Sequence, residues 1–409
     1  MAGVSVRIQM FMPGLGSDAL GARVHQDFAA SVNALGHDFQ IWTTPPRTAP
    51  TGRSAIGRVL PLSSAWCLAD DVAAPLLRTR QVLSPAAALA KHLGASTAAF
   101  DLLHIEVAYP FGAAAMLAAA AARWKGPIAI TPMGEDTVVL EQYHYGFRRH
   151  FFPRRLVDRA LRGAAAIRCI SPLHERVIAP LAPSTPRRVI PLNVSSAAVA
   201  AANESADARA ERRRSARQAV DAELDLGGHP IVLSLGRLHP FKGIDLLIGA
   251  LAQIPDAMLL IAGPSLRSRA AGDEGSRLAA DVERRGLASR VRFLGAVGPE
   301  RAMQLLAAAD VVAVPSRFET LNKVCVEAVA VGTTFVVTET TGIASWARSS
   351  GVGIVVPPDD ETALARGLVT ALAAPPLGPE SIRAFVEQFS PLTVARAVMD
   401  FYHDVTGFA

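Results

Sequence analysis

The chain has 409 residues, half of them hydrophobic, and a formal net charge of +5. That length exceeds one ordinary domain and supports two substantial cores, while so small a net charge argues against a chain that binds polyanions over its whole surface. Three cysteines, Cys67, Cys169 and Cys325, are widely separated without metal or redox spacing, which excludes a disulfide framework and fits a reducing cytosol.

Val4 to Met10 alternates like a strand, and Arg7 and Gln9 interrupt any signal-peptide core. Pro13-Gly-Leu-Gly16 reads as a turn in which Gly14 and Gly16 let backbone approach a phosphate or a sugar. There is no G-x-G-x-x-G fingerprint, so a nicotinamide-type site is not supported. Ala19 to Leu35 is a helical run that ends at Gly36, a C-terminal cap. Asp101-Leu-Leu-His-Ile-Glu106 is a strand, followed by an alanine-rich helix to Arg123 and a strand at Pro127 to Thr131. His104 reads equally as a satisfied core histidine and as a functional group. The longest apolar run, Ala113 to Ala122, is too short to span a bilayer.

Tyr143 to Arg162 carries Arg148, Arg149, Arg154, Arg155, Arg159 and Arg162 against a single Asp158, interleaved with aromatics. This local positive field suits a solvated helix with buried rings, or contact with an anionic membrane or a phosphorylated acceptor. No recognised nucleic-acid module accompanies it, so no nucleic-acid partner is expected. The boundary of the first domain falls near Arg187 to Asn193. Ser195 to Glu223 lacks a convincing apolar stripe and reads as a linker, with Arg212-Arg-Arg214 solvated.

From Ile231 the chain alternates strand and helix. Ile231 to Leu235 runs into Gly236, Arg237, Lys242 and Gly243, and further apolar runs lie at Met258 to Ile261, Val291 to Leu294, Asp310 to Pro315 and Phe335 to Thr338. This pattern predicts a parallel sheet covered on both faces, with its ligand site beyond the carboxyl ends of the strands. Arg237 can fork onto phosphate oxygens and Lys242 can add a point charge. In Arg317-Phe-Glu-Thr-Leu-Asn-Lys-Val-Cys-Val-Glu-Ala328, Glu319 and Glu327 straddle the start of a helix that rises roughly 12 Å between them. One carboxylate can then reach a sugar and the other a ribose, with a diphosphate at the helix N-terminus between them.

These motifs occur in order with Ile261-Ala-Gly263, Val291-Arg-Phe-Leu-Gly295, Ala309 to Ser316 and Gly353-Ile-Val-Val-Pro-Pro-Asp359. Together they resemble the catalytic domain of the GT4 family of retaining glycosyltransferases, over residues 230 to about 375. The resemblance implies an α/β fold of GT-B architecture: two Rossmann-like domains facing across a cleft, and a C-terminal helix returning to the first domain. The expected division is 1–192 for the acceptor domain, 193–226 for a linker, 227–388 for the donor domain and 389–409 for the returning helix. It further implies that Arg237 and Lys242 bind the diphosphate of a UDP- or GDP-sugar, that Glu319 contacts the sugar, that Glu327 holds the ribose and that Gly16 lies beside the sugar-phosphate. A metal and a separate cofactor are not expected.

Departures from the family pattern qualify this. Asn322, followed by Lys323, stands where the family often has glycine, so backbone approach to phosphate is less free and sugar specificity is open. Thr341-Gly-Ile-Ala-Ser345 lacks the proline and acid of the usual Gly-Gly-x-Pro-Glu, which implies a different or weaker task. Glu106 stands where a second histidine is common, and Met133 where a histidine often precedes the glycine. Glu106 can take or orient an acceptor proton. The expected acceptor is a saccharide or a lipid-linked molecule in cell-surface polysaccharide or glycolipid assembly, with a small secondary metabolite as the alternative. A nucleotide-sugar epimerase and a non-catalytic nucleotide-binding partner are the other readings. A cytoplasmic protein with at most peripheral membrane contact follows.

Overall fold

The computed structural model describes residues 5–12, 20–44, 58–76, 80–95, 100–265, 267–268 and 272–407. The glycine turn containing Gly14 and Gly16 lies outside them. The chain divides into two compact units, residues 1–195 with 391–409, and residues 196–390.

In the first unit the strands are β1 (Arg7–Met12), β2 (Asp38–Thr43), β3 (Arg58–Val59), β4 (Leu102–Glu106), β5 (Ile128–Thr131), β6 (Ala166–Cys169) and β7 (Arg187–Val189). Among the described residues they form one seven-stranded sheet in the order β3-β2-β1-β4-β5-β6-β7, parallel at every pairing. Chain order reverses between β1 and β4, so the carboxyl ends of those two strands flank a crevice of the kind that binds ligands in open α/β sheets. Helices Leu83–Ala95, Ala113–Ala122 and Phe151–Gly163 cover one face, around Phe11, Leu93, Leu103, Ile105 and Val157. The run of alanines that carries little periodic signal lets Ala113–Ala122 pack closely, since Ala113, Ala114, Ala115 and Ala118 are all buried. Helix Leu20–Ala34 and the last helix, Pro391–Thr406, cover the other face around Ile8, Met10, Phe28 and Tyr402.

The second unit contains β8 (Ile231–Leu235), β9 (Met258–Ala262), the short antiparallel pair β10 (Arg267–Ser268) and β11 (Gly272–Asp273), β12 (Val291–Gly295), β13 (Val311–Val314), β14 (Thr334–Thr338) and β15 (Gly353–Val356). Among the described residues the main sheet has the order β12-β9-β8-β13-β14-β15, again parallel throughout. Its strands are continuous apolar runs because helices cover both faces. The reversal of chain order here falls between β8 and β13.

One expectation is corrected. The stretch read as a linker is two helices of the second unit, Ser196–Ala202 and Ala206–Leu224. Ser205 caps the longer one by accepting from Ala208 N at 3.2 Å. Its inward side is built from Ala216, Val220 and the buried Arg209 rather than from large apolar residues. Arg213 bonds Ala309 O at 2.9 Å, and Arg217 pairs with Asp310 at 2.6 Å. Arginine stems supply packing that an apolar periodicity does not register.

Candidate functional site

In the second unit the carboxyl ends of β8, β9 and β13 come close enough that glycine is obligatory. A Cβ at Gly263 (φ +148°) would lie 1.9 Å from Gly236 O, and one at Gly243 (φ +68°) would lie 2.1 Å from Pro315 O. Both positions have the positive φ that side chains rarely adopt. The turn after β8 therefore lies directly against the segment after β13. Arg237 leaves the end of β8 exposed to solvent. Lys242, at the end of a short turn of 3₁₀ helix (Pro240–Lys242), forms an ion pair with Glu319. His239 lies between the two cations in sequence. Burial, then Arg237 and Lys242, lower its pKa to about 4, so it adds no positive charge at neutral pH.

The segment carrying Glu319 is held on two sides. Arg317 N donates to Phe241 O at 2.8 Å, and its guanidinium grips Asp245 at 2.9 and 2.8 Å, Asp359 at 2.7 Å and Pro240 O at 2.7 Å. Burial pushes the Asp245 carboxyl up, but the bonds and charge of Arg317 outweigh it and leave the pKa below its ordinary value. On the other side, Glu319 N donates to Thr340 O at 3.0 Å, Gly342 N to Glu319 O at 2.7 Å and Ile343 N to Leu321 O at 3.0 Å. The atypical Thr341-Gly-Ile-Ala-Ser345 loop thus braces the Glu319 segment through backbone bonds. The motif alone assigns Arg317 no role. The signal that marks it is a cation one residue past a strand-end serine with two acids downstream, and only the fold brings Asp245 and Asp359 to it.

Helix Lys323–Ala330 begins at Asn322, whose Oδ1 accepts from Cys325 N at 3.3 Å. Asn322 adopts φ +78°, which explains why glycine suits this place and why asparagine, tolerant of the left-handed region, can stand in. Lys323 opens the helix, and its charge partly offsets the rise that burial gives to the Glu327 pKa one turn later. Glu327 is only 6% exposed. Burial, then the charges of Glu319 and Glu327, push the Cys325 thiol well above its usual range. The N-terminus of this helix, which follows the Glu319 that pairs with Lys242, can accept an anion and hydroxyls together.

In the first unit β4 ends in His104 and Glu106. Of the two readings of His104, satisfied core histidine or acceptor-side group, its surroundings fit the first. It is fully buried, Nε2 lies 3.0 Å from Thr131 Oγ1 and Nδ1 lies 2.6 Å from Tyr402 OH. Both ring nitrogens are spent on structure. Burial, with Arg168 and His25 adding repulsion, lowers its pKa to about 3. Glu106 is also buried, at 6% exposure, with His25 Nε2 3.3 Å from its Oε2. That oxygen has no hydrogen bond of proper geometry among the described residues. Arg168, which bonds Ile190 O at 3.1 Å and also Pro191 O, supplies the nearby positive charge. Met133 N and Gly134 N donate to Asp136 at 3.1 and 2.9 Å, which ties down the turn where the family's histidine is absent.

The two units match known families in turn. Residues 217–387 match the family described as glycosyl transferases group 1, and residues 21–193 match the glycosyl transferase 4-like domain. The chain belongs to the GT4 family of GT-B fold. A curated relative, D-inositol 3-phosphate glycosyltransferase of Nocardia farcinica, is 37% identical over 148 residues, which cover 34% of this chain and 32% of that protein. The counterpart from Jonesia denitrificans is 35% identical over 162 residues, 38% of this chain and 37% of that protein. The match thus spans about a third of the length of these relatives. Among solved structures, sucrose-phosphate synthase from Thermosynechococcus elongatus superposes with a TM-score of 0.72 at 21% identity, covering 98% of this chain and all of that one. Anabaena HepE in complex with UDP-glucose gives 0.71 at 17% identity over 97% and 99%.

Within this GT4 chain the basic segment is less uniformly charged than its sequence. Arg148 pairs with Asp158 at 3.0 Å, Arg149 with Glu141 at 3.2 Å, and Arg162 donates to Leu181 O at 2.9 Å. Arg154, Arg155 and Arg159 lie exposed on helix Phe151–Gly163, together with Phe151 and Phe152 at 56% and 45%. No helix among the described residues is long and apolar enough to cross a membrane. No cluster of His, Cys, Asp and Glu among them is placed to hold a metal ion.

Proposed function

We propose that the protein transfers a sugar from a nucleoside-diphosphate sugar to a hydroxyl acceptor, with retention of anomeric configuration. The observation that carries this reading is the Lys242–Glu319 pair just ahead of the helix that bears Glu327, at the β8/β13 reversal. Arg237, Lys242 and the helix dipole take the diphosphate, Glu319 the sugar and Glu327 the ribose, with Asn322 and Lys323 presenting backbone and charge to the phosphates. Glu327, nearly buried on a helix, gains most from hydroxyl donors because burial penalises its bare charge. The bond from the anomeric carbon to the phosphate oxygen breaks, the acceptor oxygen bonds that carbon on the same face, and its proton leaves to the departing phosphate. The cations stabilise the charge that develops on the diphosphate in place of a metal.

UDP is favoured as the nucleotide because the structurally similar HepE was solved with UDP-glucose. The acceptor is a polyhydroxylated saccharide or glycolipid precursor of cell-surface assembly. Glu106 orients its hydroxyl, and the exposed Phe151, Phe152, Arg154, Arg155 and Arg159 hold the enzyme against an anionic cytoplasmic membrane face. The test is a thermal-shift panel of UDP, GDP and ADP, followed by mass spectrometry of products from UDP- and GDP-sugars on lipid extracts. Sedimentation with vesicles containing a fifth anionic lipid runs alongside it. The expected result is stabilisation by one nucleotide, a glycosylated product and vesicle binding that salt reverses. Absence of any nucleotide stabilisation defeats the central reading, and absence of vesicle binding defeats the membrane contact alone.

A further inference from the structure

Lys242 and Glu319 are the groups that the proposed reaction sends to different parts of the donor, the cation to the diphosphate and the carboxylate to the sugar. In the structure they are paired with each other. Their side chains are only 21% and 18% exposed, so water and salt screen the attraction less than at an open surface. The backbones on both sides are fixed. Arg317 N bonds Phe241 O, Gly243 abuts Pro315 O, and Glu319 is braced by Thr340 O and Gly342 N. Exchanging the partners of this pair therefore asks for side-chain rotation within a frame held by backbone bonds. Among the described residues the Glu319 carboxylate has Lys242 as its hydrogen-bond partner.

Resting on the donor-site reading above, we propose that the Lys242–Glu319 pair is a specificity determinant that discriminates intact donor from spent nucleotide. A nucleoside diphosphate that takes Lys242 leaves Glu319 as a largely buried carboxylate stripped of its cation, and stranding such a charge costs affinity. A nucleotide sugar makes the same demand on Lys242 but returns hydroxyl donors to Glu319, which offset the loss. Once the sugar has passed to the acceptor the offset is gone. Glu319 then reclaims Lys242 and competes with the bound diphosphate, which speeds product release.

The test is calorimetric titration of the full-length protein with UDP and with UDP-glucose, using GDP and GDP-mannose if UDP does not bind. Glu319→Gln keeps the shape and removes the charge, and Glu319→Ala is a second version should the first be poorly folded by its melting temperature. The expected result is that UDP binds the variant about tenfold more tightly than it binds the wild type. The preference for UDP-glucose over UDP falls by at least that factor. In a Lys242→Gln background the same substitution should no longer tighten UDP, because the cation it frees is absent. Unchanged or weaker UDP binding by a folded Glu319 variant overturns the inference while leaving the donor site intact. If no nucleotide binds the wild type, the donor-site reading fails and the inference with it.

Discussion

The two units place their chemistry at the same topological position and treat it in opposite ways. In each, a parallel sheet reverses chain order, and acids and bases gather where the strands on either side of the reversal end. In the second unit Arg237, Lys242 and Glu319 keep some access to solvent, though Glu327 does not, and backbone bonds brace the segment that bears Glu319. In the first, His104 and Tyr402 are locked into the core and Arg168 is spent on two carbonyls, while among the described residues the Oε2 of Glu106 has no hydrogen bond. A titratable group at a strand end is thus a site only where its polar atoms are not already consumed by the fold.

The sharpest way to break the contrast is to remove one group from each side. Arg237 is exposed and resolves into no structural partner role in the fold described above, so Arg237→Ala should leave the melting temperature nearly unchanged and lower sugar transfer by about 10²–10³-fold, the usual cost of removing a preorganised charge stabiliser. Glu106→Gln should lower transfer by about 10²-fold through the acceptor, leaving nucleotide affinity as it was. Full transfer by either variant, measured with purified protein and saturating donor, removes that residue from the mechanism.

A smaller effect separates the buried cluster from the accessible one by pH. His104 titrates near 3 in the folded protein and near 6.5 when unfolded. As pH falls from about 6.5 toward 3, the unfolded chain takes up a proton that the folded state refuses. The stability contributed by the neutral imidazole is therefore present at pH 7 and lost on acidification, at up to about 1.4 kcal/mol per pH unit. His174, also buried and lowered to about 3, adds the same sign. Urea midpoints at pH 7 and 5 should fall less for His104→Gln than for the wild type, although the variant starts less stable. Parallel pH dependence in the two proteins would show that His104 is not held neutral.

Much of the second unit was legible because its central strands are buried on both faces and appear as apolar runs, two of them, β8 and β9, running into glycine. Arg237, Lys242, Glu319 and Glu327 could be singled out as candidates from strand ends, helical spacing and the family resemblance, but the pairing of Lys242 with Glu319 could not. The helices at 196–202 and 206–224 were not legible, because their cores are alanine and arginine stems. The state of His104 was equally out of reach, since its Tyr402 partner lies 298 positions away and local sequence carries no trace of it. The clamp made by Arg317 has the same cause: its two carboxylates come from a helix start and a turn 72 and 42 positions distant.

The smallest effect concerns the residue at which the chain departs from its family yet keeps the local geometry. Asn322 holds φ +78° and caps the helix that carries Glu327, two tasks with different tolerances. Glycine satisfies the first freely and loses only a few tenths of a kcal/mol of the second. Alanine satisfies neither, giving up the cap, worth about 1 kcal/mol, and paying roughly 1 kcal/mol more for the left-handed backbone. Asn322→Gly should therefore unfold within about 0.5 kcal/mol of the wild type, and Asn322→Ala roughly 1–2 kcal/mol below it, in paired urea titrations. If glycine proves as costly as alanine, the side-chain cap rather than the backbone conformation sets the requirement. In that case the asparagine is a replacement for the family's glycine in position only, and the turn that opens this helix is built on a different principle.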